Sequence, residues 1–470
     1  MKLSLRITAL STLAVIALAA GCGHAAPTAP ADDSAQADSV HMKLTPFEKR
    51  LKFARLPPRI TLGAEAAVGL EDMSAARSGY PAFLPNTPLV VDNGGPTLRA
   101  PRIVTVTWDG DVNRDIYEKF GDQIGATTYW RDNTSEYGVG PAVSGAANHV
   151  HIATPLTTIS DEEIDSLVRA NVTNAASGWP APDQQTIYNI YLPPNSLTFG
   201  GQDACQFGVG GYHTDSPLDL SDGGSTAEFM YAVNINCPLK WDVHTVTLIA
   251  SHELVETVTD PFPSVNPGYV GFDADHLAFD IMNEFQDETG DACEFFRSSE
   301  YVGGASFPFG LQRNWSNKSA KAGHSPCVPR TKLPYFNVTT FAASMDKIDV
   351  DFTSLGDTVH ATAGFIAPVG QARSFPIGFY SDAPTGADWT VWIKVPAALP
   401  LTDQNNAKIP NGQAAATIDN PAGHNGHRAN VTITPASFNA LGVLYVELHS
   451  VLQGGEEKVY PVLLAAAAAR

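Results

Sequence analysis

Ser251-His252-Glu253-Leu254-Val255-Glu256-Thr257-Val258-Thr259-Asp260-Pro261 is the stretch on which the reading of this chain turns. On a helix, His252 and Glu256 stand four residues apart and share a face. That is the ligand spacing of an HExxH metal helix, with Glu256 where the second histidine would stand. Glu253 then falls in the place of a general base. Val246, Ala250 and Leu254 form an apolar stripe, so a helix from about Val243 to Thr259 is expected to be buried on one side. Its β-branched content is high, so burial must support it more than intrinsic propensity does. Asp260-Pro261 ends it, because a residue before proline avoids the α region. Three ionisable groups on a buried helix are costly unless paired or ligated. The competing reading is a helix whose His and Glu simply face solvent.

A third ligand has to come from elsewhere. The acid-rich segment from Asp280 to Cys293, with Glu284, Glu288 and Asp291, follows at a suitable distance. One imidazole and two carboxylates suit zinc. Oxygen-rich shells also suit calcium or manganese, so the expected cofactor is a divalent metal with zinc first. A second candidate is Gly210-Gly211-Tyr212-His213-Thr214, where His213 reads as a ligand, a proton donor or a structural histidine. His244, His276 and His324 have weaker settings. No GxSxG elbow, P-loop or dinucleotide-binding glycine pattern is present.

Outward from the helix, Pro101–Trp108 alternates like a strand, and residues 114–130 read as one helix with Ile116, Phe120 and Ile124 on a stripe. Residues 162–172 read as another helix, and 186–192 and 229–235 as strands. After about residue 332 the pattern changes. Ile348, Val350 and Phe352 alternate with Asp349 and Asp351; Trp389, Val391, Ile393 and Val395 alternate too, as do Val431 with Ile433 and Val443 with Tyr445. Short strands split by turn residues predict a β-sandwich there. Residues 46–90, with Pro57, Pro58, Pro81 and Pro85, read as an irregular lead-in.

The N-terminus reads as an export signal. Lys2 and Arg6 precede the apolar run Leu10–Ala20, which is too short to span a bilayer. The run ends Leu18-Ala19-Ala20-Gly21-Cys22, which resembles a bacterial lipobox with Cys22 as the acylated residue. Ordinary cleavage near Ala26 is the alternative. The net charge of −20, from 29 Lys and Arg against 49 Asp and Glu, argues against a nucleic-acid partner. Setting Cys22 aside leaves Cys205, Cys237, Cys293 and Cys327, read as two disulfides in an oxidising compartment. A four-cysteine zinc site is weak because no CxxC pair exists.

Four blocks, in order, resemble the phosphate-induced, or Exordium-like, proteins of plants and related secreted bacterial proteins. The first is Asn93-Gly94-Gly95-Pro96 with the strand to Trp108, Tyr129-Trp130 and Glu136–Gly140. The second is Tyr191-Leu192-Pro193, Cys205 and Gly211-Tyr212-His213. The third is Tyr231-Ala232, Cys237, His252–Glu256 and Thr259-Asp260-Pro261. The fourth is Glu288–Cys293, Trp315-Ser316-Asn317 and Cys327. The resemblance covers roughly residues 85–330. It implies that HExxE is a normal form, that Glu288 and Asp291 rank ahead of Glu284 as third ligand, and, with sequence order, that Cys205 pairs with Cys237 and Cys293 with Cys327. It settles no activity.

The expected architecture is therefore α+β. A signal with lipobox occupies residues 1–22, a tether and lead-in 23–85, a zincin-like mixed sheet with a central HExxE helix 86–331, and an all-β sandwich 332–470. The expected function is an exported, metal-dependent, peptidase-like hydrolase. In it His252, Glu256 and either Glu288 or Asp291 bind metal, and Glu253, with His213, serves catalysis. The alternative is a cell-surface binding protein with a structural metal or acid cluster, engaging peptide or glycan. Membrane attachment would run through lipid on Cys22, to an outer membrane where the cell has one, with secretion as the alternative. Mass spectrometry of the mature N-terminus is expected to read an acylated Cys22; an unmodified terminus near Ala26 would mean cleavage alone.

Overall fold

A computed structural model describes residues 52–55 (as backbone), 79–218, 227–286, 288–294, 298–403, 407–453 and 457–469. The export signal, Cys22 and most of the expected tether lie outside the described residues.

The first part of the chain is built on a six-stranded mixed sheet. Its strands are β1 (Lys52–Arg55), β2 (Arg102–Trp108), β3 (His149–Ile152), β4 (Thr186–Tyr191), β5 (Val209–Leu218) and β6 (Ala227–Asn234). Their spatial order is β1-β5-β6-β4-β2-β3. From β6 to β3 all neighbours run parallel, whereas β5 is antiparallel to β6 and β1 antiparallel to β5. Parallel strands need long crossovers, which usually put helices on both faces and bury the strands from both sides. Accordingly every residue of β4 is buried. Val104, Val106, Tyr188, Ile190, Tyr231 and Val233 join a core with Ile164 and Val168 of α2 (Asp161–Val172). Ile103, Ile187, Tyr191 and Met230 face the other way, against Tyr117, Phe120 and Ile124 of α1 (Arg114–Ile124).

The HExxE helix, α3 (Val243–Thr259), has the expected bounds but not the expected exposure. All residues from Thr245 to Thr259 are buried. Leu248 and Ile249 belong to one core, while Val246, Ala250, Leu254, Val255 and Val258 belong to the other. The strand Gly310–Gln312 closes a further side, and two helix hydroxyls hold it there. Thr247 Oγ1 accepts from the Gly310 amide at 2.9 Å and Ser251 Oγ from the Gln312 amide at 2.9 Å. A methyl on Gly310 would meet the His244 carbonyl oxygen at 1.8 Å, so the strand lies flush on the helix only with glycine there.

Two further expectations are corrected. The helix read over 114–130 breaks after Ile124, and a second runs Thr128–Thr134. Thr127 caps the second, its side chain accepting from the Trp130 amide, and Gly125 at the break packs where a methyl would meet the Ala142 carbonyl oxygen at 2.3 Å. The irregular lead-in contains β1, which pairs with the outer edge of β5.

Beyond residue 335 two sheets face each other. Phe336–Thr340, Arg373–Ser381, Arg428–Pro435 and Ala414–Ile418 form one, in that order. Asp346–Asp351, Val359–Ile366, Glu457–Ala465, Val443–Val451, Trp389–Lys394 and Ala422–Gly423 form the other. Phe375, Ile377, Val431 and Ile433 of the first share a core with Val391, Leu444, Val446 and Val462 of the second, as in a sandwich. The second sheet is covered on its other face as well: Val443, Tyr445 and Leu463 pack with Leu277, Ala278 and Ile281. Hence Val443–Ser450 is buried at nearly every position rather than at alternate ones. Phe352 falls just past its strand, before a short 3-10 turn.

Two disulfides are present, Cys205–Cys237 and Cys293–Cys327, closing separations of 32 and 34 residues. Each stabilises by about 3 to 4 kcal/mol in the chain-entropy account. They fit folding in an extracellular or periplasmic compartment. Among the described residues no helix is long and apolar enough to cross a membrane.

Burial pushes the Glu300 carboxyl up to about 7. Below the ordinary carboxyl range the folded and unfolded chains are both protonated there. As pH rises from about 4.5 to about 7 the unfolded chain ionises first, so stability falls across that window. Glu300→Gln is expected to raise the melting temperature more at pH 8 than at pH 4; an equal gain at both would show that this carboxyl carries no such linkage.

Candidate metal centre

α3 presents His252, Glu253 and Glu256 to one buried space, with side chains 0%, 0% and 1% exposed. The strand β5 brings His213 to the same space, because Gly211, His213 and Asp215 lie on its helix-facing side while Tyr212 enters the opposite core. The turn after Glu288 brings Asp291, the first residue of the short helix Asp291–Glu294. Cys293, two residues on, ties that helix to Cys327, and the Trp315 amide holds the turn by donating to the Thr289 carbonyl at 2.6 Å. The other disulfide joins Cys205, just before β5, to Cys237, just after β6. Both segments that meet α3 at this space are therefore pinned close by.

His252 Nε2 lies 3.1 Å from Glu256 Oε2 and 3.5 Å from Asp291 Oδ1. His213 Nδ1 lies 3.6 Å from both Glu253 Oε2 and Glu256 Oε2, and its Nε2 lies 3.6 Å from Glu288 Oε1. Both imidazoles face carboxylates on their ring nitrogens. Two ligands each about 2.0–2.1 Å from a tetrahedral zinc stand about 3.4 Å apart. The separations of 3.5–3.6 Å are close to that spacing. Two sets of three ligand atoms, His252–Glu256–Asp291 and His213–Glu253–Glu256, each lie within 4.8 Å of one another and could hold an ion.

Glu256 is the fixed point. Its Oε1 accepts from the Gly290 amide at 3.0 Å and the Asp291 amide at 2.9 Å, which leaves Oε2 to face both imidazoles. The backbone comes this close because residue 290 has no side chain. A methyl there would sit 2.7 Å from Glu256 Oε1 and 2.9 Å from His252 Nδ1. Gly211 plays the same part on β5, where a methyl would sit 2.7 Å from Glu253 Oε1. Gln312 Nε2 donates to the Gly290 carbonyl at 2.9 Å and so links the turn to the strand laid on α3.

The two imidazoles differ in charge. Burial pushes His213 down to about 4, against the pull of Asp260 and Asp291, so it is neutral near pH 7. Burial also opposes charging of His252, but the carboxylates of Glu256, Asp291 and Glu253 outweigh it and hold that ring well above its ordinary range. In such a field a cation would take the place of the proton.

Of the residues singled out in the sequence, His213, His252, Glu253, Glu256, Glu288 and Asp291 all meet here. Glu284 does not: it lies apart and faces Lys408 Nζ at 3.6 Å. His276 bonds Asp273 at 2.7 Å, and His324 lies between Arg330 and Asp382. Sequence reading took Asp260 only as a helix stop; it is fully buried, acts on His213, and its Oδ1 accepts from the Gly268 amide at 2.7 Å. The parts of Gly211 and Gly290 carried no sequence signal beyond their place in matching blocks. β1 runs along β5 with Lys52 opposite His213.

No family model matches the chain, and no curated protein matches it. Among solved structures it is similar to a PapD-like domain of human CEP192, at 11% identity, 22% of this chain, 79% of that one and a TM-score of 0.17. It is also similar to domains 4 and 5 of the S-layer protein SbsC, at 10% identity, 36% and 90% coverage and a TM-score of 0.14. The third is OgpA from Akkermansia muciniphila, at 10% identity, 80% and 96% coverage and a TM-score of 0.18. Scores this low carry no argument about fold or function.

Gly290→Ala is expected to destabilise the chain by about 1–3 kcal/mol in urea unfolding, since it pushes Glu256 and His252 apart. Gly304→Ala, with nothing within 4 Å of the added methyl, is the control and should be close to neutral.

Proposed function

We propose that this protein is an exported metal-dependent hydrolase with a zincin-like core, acting on peptide bonds. The observation that carries the reading is the buried set His252, Glu256 and Asp291, whose ligand atoms lie within 4.8 Å of one another, with Glu253 beside it. A mixed sheet with an antiparallel edge, followed directly by the HExxE helix, is consistent with it. His252 Nε2, Glu256 Oε2 and Asp291 Oδ1 would hold the divalent cation. When bound, it supplies a Lewis acid that polarises the scissile carbonyl. Glu253 takes the proton of the attacking water on a carboxylate oxygen and returns it to the leaving amine as the C–N bond breaks. His213, neutral and 3.6 Å from Glu253, orients that carboxylate without competing for the proton. Glu288 fixes the far side of the His213 ring, 3.6 Å from Nε2.

The same reading keeps the chain with the Exordium-like proteins, on the strength of the four residue blocks. It also keeps a lipid anchor on Cys22, which would set the site at a membrane surface. A second reading has one observation in its favour. Every side chain of the cluster is at most 1% exposed, as a purely structural ion would require. In that case the protein is a cell-surface binding module, and its C-terminal sheets engage glycan or protein.

Purified protein is expected to carry stoichiometric divalent metal, and His252→Ala to lose it. Glu253→Gln separates the two readings. A hydrolase variant should keep the ion held by His252 and lose turnover of peptide substrates by roughly 10²–10⁴-fold. Absence of turnover in the wild type, with metal present, favours the binding module; absence of metal removes both forms of the site.

A further inference from the structure

Resting on the metal reading above, we infer that the cluster is a two-cation centre, with Glu256 Oε2 as the shared ligand. Two distinct sets of three ligand atoms exist, and Glu256 is the one residue common to them. Its Oε1 is taken by two backbone amides, so the single oxygen Oε2 faces His252 Nε2 on one side, at 3.1 Å, and His213 Nδ1 on the other, at 3.6 Å. The first cation takes His252, Glu256 and Asp291. The second takes His213 Nδ1, Glu253 Oε2 and Glu256 Oε2.

His213 lies outside the first set of ligands and defines the second. It is 1% exposed, and Nδ1 lies 3.6 Å from both Glu253 Oε2 and Glu256 Oε2, between the two carboxylates. A metal-bound imidazole usually gives its other ring N–H to a carboxylate. Glu288 Oε1 stands 3.6 Å from Nε2, and in this centre it would take that part and orient His213 rather than bind metal itself. Charge points the same way. Glu253, Glu256, Glu288 and Asp291 together carry four negative charges when ionised and are all essentially unexposed. Such a concentration of acidic ligands suits divalent cations. A carboxylate oxygen shared by two metals a few ångströms apart is the arrangement of two-metal hydrolases. In this centre Glu253 binds through Oε2 and takes the proton on Oε1.

The test is metal counting on the full mature chain, loaded with excess Zn²⁺ or Mn²⁺, desalted, and analysed by inductively coupled plasma mass spectrometry. Wild type is expected to hold two ions per chain, and His213→Ala and His252→Ala one each. Glu256→Ala should hold fewer than either. With Mn²⁺, wild type should give the electron paramagnetic resonance spectrum of a coupled pair, and His213→Ala that of an isolated ion. One ion in the wild type, unchanged by His213→Ala, overturns the two-cation centre and leaves the single-metal hydrolase standing. No ion in the wild type overturns both. Glu288→Gln keeps the inference testable where His213→Ala does not fold: it should weaken the second ion at least several-fold and leave the first, and an unchanged count and affinity would count against the inference.

Discussion

Six ionisable side chains packed into one space without solvent are the constraint that the first part of this fold serves. His213, His252, Glu253, Glu256, Glu288 and Asp291 are each at most 1% exposed. An uncompensated buried charge costs several kcal/mol, comparable with the whole stability of a domain. The surrounding structure therefore fixes both partners of each close approach. α3 is enclosed on all sides, β5 is held by a disulfide before it and β6 by the same disulfide after it, and the Asp291 turn is held by the other. Gly211 and Gly290 let two backbones come within reach of the carboxylates. The Thr247 and Ser251 hydroxyls, which would only be neutral on an exposed helix, here receive a strand.

Elements with a clear period were legible in the sequence. β2 and α3 follow directly from alternation or from a helical stripe, and so do four strands of the C-terminal sheets. What failed has identifiable causes. The stripe of Ile116, Phe120 and Ile124 continues by chance into Trp130, so the period concealed the break at Gly125; Thr127, a good cap, was the available signal. β1 is four residues long and follows no period of its own, since its pairing partner supplies the order. The apolar stripe of α3 indicated one buried face, and the helix has no exposed one, because the strand Gly310–Gln312, β5 and the Asp291 turn cover the faces that carry Thr247, Ser251, His252, Glu253 and Glu256.

The site was legible in its residue types but not in its geometry. His252 and Glu256 follow from helical spacing alone. Asp291 and Glu288 were ranked by resemblance, and nothing local in the sequence separates them from Glu284. The fold does: Glu284 leaves toward Lys408, Glu288 turns to His213, and Asp291 turns to His252. The meeting of His213 with Glu253 depends on the register of β5 beside β6, where His213 stands opposite Ala232, and no short motif encodes that register.

The two amides that grip Glu256 Oε1 have a consequence for ion selection. A carboxylate with one oxygen already committed binds a metal through the other oxygen only. Calcium relies on many oxygens, commonly with a carboxylate chelating through both, at 2.3–2.6 Å as a rough range. A small ion content with four ligands loses nothing by this arrangement. With an ion bound, the hydrogen bonds from Gly290 and Asp291 would act as a filter on coordination number, set in the backbone rather than in the choice of ligand residues.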